Sequence, residues 1–508
     1  MLARAWFPSK VFDCVARLSA PRVRSGRIVT DGQRKGRVGG EIGYAATDLK
    51  TTMRAMGECV DEASKERLRG CAGADDGAAL DASDAPDEPR PSASSSCPAL
   101  PAARPCILVV HASVGSGHRS AAYAVSDAFE RLREAGDARL ADVDVETLDI
   151  LDYGRVAIDG DATASMFTGF TRPVYDITWR YTLTGRLLWG GGTAWSRVMF
   201  RKFTDYVAAR RPLAVVCTHI TAANCAVGAR MITGQHFPIV CVPTDYEIEG
   251  WWPHKEADLF CVATEAMAET LRPRHVPESH MRLTGIPVRG GIGASYDVPA
   301  VRERLGLPQE SAVVLVMAGA HLPQPYVRFR ATMDETLPYL KGLSDMHFAF
   351  LPGRDEEYAL HLRKAKDDMA IDNMSVFGYV DDMPALMAAS DLAICKSGGL
   401  TVTECLCARL PMVLLGRAYG QEKANTRMLT ALGVGMHATT ARELLGALRH
   451  LHANPTSLSA MLVNGEVLRR PDAADDIARA TLDLSGGECG GKKHFAEFYW
   501  GDRPAHLR

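Results

Sequence analysis

The 508-residue sequence contains no apolar run approaching the roughly 18 residues that a membrane-spanning helix needs, so any encounter with a membrane is expected at its surface. It carries little net charge, a formal −3 with a pI near 6.6, which removes a global electrostatic reason to bind nucleic acid. An anionic partner must therefore be met locally. Thirteen cysteines are present, yet their number is odd and no Cys-x-x-Cys pair occurs. Cys106, Cys217, Cys241, Cys261 and Cys395 sit in apolar runs and read as small core hydrophobes of a reducing cytoplasm. No short internal repeat occurs, which excludes a solenoid or propeller. No Lys-Ser/Thr follows the glycines of Ser113 to Gly117, so that turn is not a P-loop.

Hydrophobic residues make up 47% of the chain, ample for two packed domains at this length. Residues 1–104 stand apart: an arginine-rich start gives way to an Asp- and Ala-rich stretch around Asp75 to Asp87, then to Pro91 through Pro105. This composition predicts a disordered N-terminal extension. No apolar segment follows the arginines, so a secretory signal is not indicated, and a start assigned too far upstream is an alternative.

From Cys106 onward, apolar runs alternate with helical patterns. Strands are expected at Cys106–His111, Val215–Cys217, Pro238–Val242, Leu259–Ala263, Val313–Met317, His347–Leu351, Leu392–Cys395 and Pro411–Leu415. The alternation predicts an α/β chain with two doubly wound parallel sheets in series. The expected divisions are 105–289 for the first domain, 290–310 for a linker, 311–482 for the second domain and 483–508 for a tail. Ligands of such sheets bind beyond the carboxyl ends of the strands, so a cleft between facing domains is the natural site.

Two glycine turns fall at such strand ends. Lys396-Ser397-Gly398-Gly399-Leu400-Thr401 follows an apolar strand and leads into a helix, so its backbone can approach an anion and offer the first free amides of the helix. Glu404, one turn on, suits both hydroxyls of a ribose. The plainer alternative is a tight strand-to-helix turn. The other turn, Ser113-Val114-Gly115-Ser116-Gly117-His118, is a poor dinucleotide fingerprint because Ser120 or Ala121 stands near the place of the third glycine. His118 lies close to a helix N-terminus, where the dipole keeps an imidazole neutral and suits it to act as a base near pH 7. A capping or packing histidine is the alternative.

The chain resembles the GT-B glycosyltransferases that include monogalactosyldiacylglycerol synthase, the processive diacylglycerol glucosyltransferases and, more distantly, the MurG transferase. The resemblance runs from about Cys106 to Ala441. It rests on Ser113 to His118 with Ala121-Ala122, Pro243-Thr244-Asp245-Tyr246 with Trp252 and His254, Val262 to Glu265, and Gly285-Ile286-Pro287-Val288. It continues through Met317 to His321, Phe377 to Met383, Ser397 to Glu404 and Gly420 to Asn425.

That resemblance implies a GT-B fold of two Rossmann-like domains and a UDP-sugar bound by the second. Val380, after Gly378 and Tyr379, would meet the uracil and Glu404 the ribose. Ser397, Gly398, Gly399, Leu400 and Thr401 would cradle the diphosphate, with Gly319 and His321 at a second diphosphate-facing turn. Gln421 and Glu422 would touch sugar hydroxyls. No metal and no cofactor are implied, since helix N-termini with Lys396 or Arg417 can stabilise the departing UDP. The first domain would take the acceptor beside Gly115 and Gly117, with His118 as base or acceptor orienter.

Asp245 is a second candidate base, although Thr-Asp after a strand is also an ordinary helix cap. His219-Ile220-Thr221 departs from the family pattern, so His219 is either near the acceptor or a satisfied strand-end histidine. Asp381 and Asp382 read as helix-cap carboxylates more readily than as metal ligands.

Between Met166 and Tyr206, aromatics including Trp179, Trp189, Trp195, Phe200 and Phe203 alternate with cations including Arg180, Arg186 and Arg197. Such interleaving suits docking on an anionic membrane surface, while an ordinary helix pair with inward aromatics is the alternative. The expected function is inverting transfer of glucose or galactose from a UDP-sugar to diacylglycerol or a related lipid at the cytoplasmic face, without nucleic acid. Alternatives are a MurG-like N-acetylglucosamine transferase, a UDP-N-acetylglucosamine 2-epimerase and a non-catalytic sugar-nucleotide sensor.

Overall fold

The computed structural model describes residues 104–486, apart from 115, 156–197, 249–251, 319–322 and 419–420. The disorder expected for the N-terminal extension thus falls almost wholly outside the described residues, as do most of the aromatic and basic segment and the tail beyond Gly486.

Two six-stranded sheets form the framework. The first runs in the order β2-β1-β3-β4-β5-β6, with β1 Cys106–His111, β2 Asp144–Asp149, β3 Ala214–Cys217, β4 Ile239–Cys241, β5 Leu259–Val262 and β6 Met281–Leu283. The second runs β12-β11-β10-β7-β8-β9, with β7 Ala312–Met317, β8 Met346–Leu351, β9 Met374–Val376, β10 Leu392–Cys395, β11 Met412–Leu415 and β12 Gly435–Ala438. The pairings are parallel, for instance Val109 opposite Val216 and Ile394 opposite Val316. Helices on both faces bury the inner strands from two sides, which is why β1, β3, β4, β5, β10 and β11 are apolar at every position or nearly so. This is the doubly wound GT-B architecture.

The eight expected strands correspond to β1, β3, β4, β5, β7, β8, β10 and β11. The four that the hydrophobic pattern misses are β2, β6, β9 and β12, the edges of the two sheets. An edge strand is covered less completely: β2 reads Asp-Val-Glu-Thr-Leu-Asp and is only partly buried along its length.

Chain order and packing order part at the C-terminus. Helix Ala473–Ser485 lies against helix Ser116–Glu134 of the first half, where Ile477, Ala478 and Leu482 share a core with Val125 and Phe129 and Arg131 pairs with Asp475 at 2.5 Å. The span 311–482 thus includes a helix that serves the first sheet. The crossing is close: Gly285 has φ +91°, and a Cβ there would fall 2.5 Å from the Cβ of Arg470.

A buried apolar cluster is continuous between the halves, taking Tyr246 and Ile286 from the first and Leu400, Val402 and Leu406 from the second. Phe200 and Phe203 are 2% and 0% exposed, so these two aromatics belong to the core and do not face outward. The neighbouring cations Arg201 and Lys202 are exposed.

Candidate active site

Of the groups singled out above, His118, His219, Asp245 and the turn Lys396 to Thr401 gather at the carboxyl ends of the two sheets. His118 stands in the first turn of helix Ser116–Glu134, just after β1. Its Nδ1 lies 3.0 Å from the carbonyl oxygen of Thr218 and 2.9 Å from Thr244 Oγ1. A carbonyl only accepts, so Nδ1 carries the proton and Nε2 is the basic nitrogen. Thr218 Oγ1 in turn donates to the His118 carbonyl at 2.9 Å, tying the end of β3 to the glycine turn. Burial pushes the imidazole down to about 4, opposed by the Thr218 carbonyl and aided by His111. It is therefore neutral at pH 7. Desolvation is the main cause.

His219 packs edge-on against His118, with ring centroids 4.6 Å apart. Its Nδ1 accepts from Thr221 N at 3.1 Å and caps helix Ile220–Thr233, so the ring is a satisfied strand-end histidine as well as a neighbour of the base. Burial, with His118 and His111 beside it, holds it well below the usual histidine range.

Asp245 points the other way, into the second half. Its Oδ1 accepts from Asn425 Nδ2 at 2.9 Å and lies against Gly399, the first residue of helix Gly399–Cys407, 2.8 Å from where a Cβ on that glycine would stand. Burial raises this carboxyl to about 7, against the pull of Asn425 and with Glu422 adding repulsion. Asn425 has no exposed surface and uses three of its hydrogen-bonding positions, donating also to Ser397 O at 2.9 Å and accepting Tyr246 N at 3.1 Å. Tyr246 reaches Thr403 Oγ1 at 2.9 Å. The Thr244 carbonyl lies so close to Gly399 that a Cβ on that glycine would overlap it.

Gly117 approaches Leu400 on the same seam, within 3.7 Å of a built Cβ. Along the remainder of the turn, Lys396 and Ser397 are buried at 8% and 5% exposure, while Thr401 and Glu404 are partly covered. Burial raises Glu404 to about 7, and Arg289 counters it. Ser397 Oγ donates to Glu422 O at 3.2 Å.

A small pocket opens to solvent beside this turn, lined by Lys396, Ser397, Leu415, Gly416, Ala418 and Glu422 with the cations Arg328 and Arg417. Burial draws the Lys396 ammonium below its ordinary range, and Glu422 opposes that shift. Farther along the rim, Gly378 and Tyr379 are exposed, the tyrosine with the Arg354 guanidinium 5.4 Å over its ring, while Val380 packs against the core. Asp382 caps helix Met383–Ala388 through Ala385 N, as its position suggested.

Gly115, Gly319, His321, Trp179, Arg180, Arg186, Trp189, Trp195 and Arg197 lie outside the described residues, as does the side chain of Gln421. Sequence reasoning assigned no role to Thr218, Arg328 or Asn425. For Asn425 a signal existed, since it falls four residues after Gln421 and so on the same helical face. For Thr218 the contact runs through a backbone carbonyl, which side-chain identity does not reveal.

Two sheets meeting through their carboxyl-end turns, with a cation-lined pocket beside one glycine turn and a partly buried histidine at the other, define a GT-B glycosyltransferase. Residues 118–288 match the family described as monogalactosyldiacylglycerol (MGDG) synthase, and residues 313–477 match the glycosyltransferase family 28 C-terminal domain. The first half is thus similar to the one family and the second half to the other, each match covering about a third of the 508 residues.

Among curated relatives, the processive diacylglycerol beta-glucosyltransferase of Bacillus subtilis (strain 168) is 27% identical over 256 residues, 50% of this chain and 65% of the relative. Its counterpart in Bacillus thuringiensis (strain Al Hakam) is 24% identical over 251 residues, 49% of this chain and 63% of the relative. The match thus spans just under two thirds of these relatives' length. The crystal structure of Acinetobacter baumannii MurG is similar with a TM-score of 0.46 and 16% identity, covering 75% of this chain and 99% of that one.

Proposed function

We propose that the protein is a UDP-sugar-dependent hexosyltransferase that moves glucose or galactose onto diacylglycerol or a related membrane lipid, with inversion at the anomeric carbon. The observation that carries this reading is the fixed tautomer of His118: with Nδ1 committed to Thr218 O, a neutral imidazole presents Nε2 as base. In the reaction, Nε2 takes the proton of the acceptor hydroxyl and its oxygen bonds to the anomeric carbon. The bond from that carbon to the β-phosphate oxygen breaks, and UDP leaves with the electron pair. A positioned base contributes about 10²–10⁴-fold. The developing charge on UDP meets Lys396, Arg417 and Arg328 around the pocket and the amides of helix Gly399–Cys407, so the scheme needs no metal.

In this reading the uracil lies near Tyr379 and Val380, the ribose on Glu404, and the sugar toward Glu422 and Gln421. Asp245 is left as the weaker candidate for base because its carboxyl is engaged by Asn425 and packed against Gly399. The lipid acceptor calls for a membrane surface, approached peripherally, since among the described residues no helix is long and apolar enough to cross a bilayer. UDP-sugars are cytoplasmic metabolites, which favours that face.

The test supplies UDP-glucose, UDP-galactose or UDP-N-acetylglucosamine with and without diacylglycerol vesicles, and follows UDP release together with lipid products. Lipid-dependent release that His118→Ala abolishes supports the proposal and names the sugar. Release of UDP without lipid, or no release with any donor, refutes it.

A further inference from the structure

The turn after β11 brings Arg417 to the rim of the pocket, and a residue outside the pocket holds that turn in place. Gly416, directly after the strand, has φ +100°, a left-handed conformation that glycine adopts at no steric cost. A Cβ built on it meets nothing within 4 Å, so the glycine answers to backbone conformation and not to lack of space. Two neighbouring residues of β12 hold it. Gly416 N donates to the Ala438 carbonyl at 2.8 Å, and the Gly416 carbonyl oxygen lies 2.8 Å from His437 Nε2. Because a carbonyl only accepts, His437 carries a proton on Nε2 and donates it. Side chains alternate along a strand, so Ala438 enters the core while His437 stands exposed on the other face.

A trans peptide unit is planar, with its C=O and N–H pointing in opposite directions. The Gly416 carbonyl is drawn toward His437, which does not line the pocket, so the Arg417 N–H is aimed the other way and the root of the Arg417 side chain is fixed with it. Glycine tolerates the flipped peptide equally well, and a flip would turn a carbonyl oxygen toward an arriving anion. The Arg417 guanidinium is exposed and has no hydrogen-bonding or ionic partner among the described residues, which leaves its charge for a ligand. We propose that His437 is a positioning residue of the donor site: by holding the Gly416 carbonyl it keeps the Gly416–Arg417 peptide in the orientation that offers the Arg417 amide and guanidinium to a donor phosphate. The inference rests on the donor reading given above.

The arrangement separates orientation from stability. His437 and Arg417 are both exposed and neither belongs to an apolar cluster, so removing either leaves the second sheet intact. The backbone bond from Gly416 N to Ala438 survives any change of the His437 side chain, so the turn would lose its peptide orientation without losing its place.

The test measures the Kd for UDP by calorimetry in the full-length wild type, His437→Ala, His437→Gln, Arg417→Ala and the double variant with both alanines. His437→Ala is expected to weaken UDP binding about tenfold, the worth of one good hydrogen bond. His437→Gln, whose side-chain amide can donate to a carbonyl as the imidazole does, should recover most of that loss. Arg417→Ala should weaken binding too, and adding His437→Ala to it should cost less than His437→Ala costs alone, because both act through one peptide. An unchanged Kd in either single alanine variant, equal losses in the alanine and glutamine variants of His437, or losses that simply add in the double variant would each overturn the positioning role, while UDP binding by the wild type keeps the donor reading standing. A wild type that binds no UDP removes the donor reading and this inference with it.

Discussion

His118 Nδ1 lies 3.0 Å from the Thr218 carbonyl oxygen, and this one contact decides which ring nitrogen can take a proton. Because a carbonyl cannot donate, the ring is held as its Nδ1–H tautomer, and the Thr244 hydroxyl 2.9 Å away shares the same N–H. A rotation of the ring would forfeit both contacts.

The pH dependence of turnover follows. Burial brings His118 down to about 4, so the base is deprotonated and active throughout the neutral range. The acidic limb of kcat/KM is expected well below pH 6.5, and a limb centred near 6.5 would show that the imidazole is not desolvated as described. His118→Ala should lower kcat by about 10²–10⁴-fold with little change in the Kd for UDP, because in the proposed reading the residue faces the acceptor.

Asn425 provides a stability test. Replacing it with alanine strands the Tyr246 amide, the Ser397 carbonyl and one hydrogen bond of Asp245 in a buried setting. Each unsatisfied buried group costs about 1–3 kcal/mol, so denaturant unfolding of Asn425→Ala should show a loss of at least 2 kcal/mol. Asn425→Asp should be worse, since it sets a second carboxylate beside Asp245. Equal stability of the two variants would contradict the hydrogen-bond assignment.

Gly399→Ala probes the seam between the halves. The added methyl overlaps the Thr244 carbonyl, and backbone on both sides leaves no flexible group to yield. The variant is expected to keep the circular dichroism of both sheets while the halves separate, raising the radius of gyration in small-angle scattering. An unaltered scattering curve would mean that the seam tolerates a side chain.

Asp245 links the seam to pH. Its folded-state carboxyl is raised to about 7, above the unfolded value near 4, so its contribution to stability is fully present below about pH 4 and is lost as pH rises through 7. Asp245→Asn removes that loss. The melting temperature of the variant minus that of the wild type should therefore climb between pH 5 and pH 8. Taking the difference cancels the buried histidines His111, His118 and His219, which act in the opposite sense. A flat difference across this window would place the carboxyl in water.

The sequence announced its eight interior strands because helices on both faces demand unbroken apolar runs such as Cys106 to Val110 and Leu392 to Cys395. It also displayed the glycine turns at His118 and Gly399, since a chain that passes from strand to helix beside a ligand needs residues without bulk. These features are local and fit within a window of a few residues. The edge strands β2, β6, β9 and β12 are decided by what lies beside them, which a half-buried sequence such as Asp144 to Asp149 does not state.

Distances along the chain hid the remainder. Asp245 and Asn425 are 180 residues apart, and Thr218 is 100 residues from His118. The same holds for helix Ala473–Ser485, which is placed by the core it completes and not by the domain it follows. By itself, the sequence determined the two-sheet architecture and the chemical kinds of group at each strand end, because both follow from local pattern. Only the tertiary structure decided that Asp245 is held by Asn425 and that His118 presents Nε2. Both outcomes depend on partners far away in the chain, and for His118 the partner is a backbone carbonyl, a group that every residue has whatever its side chain.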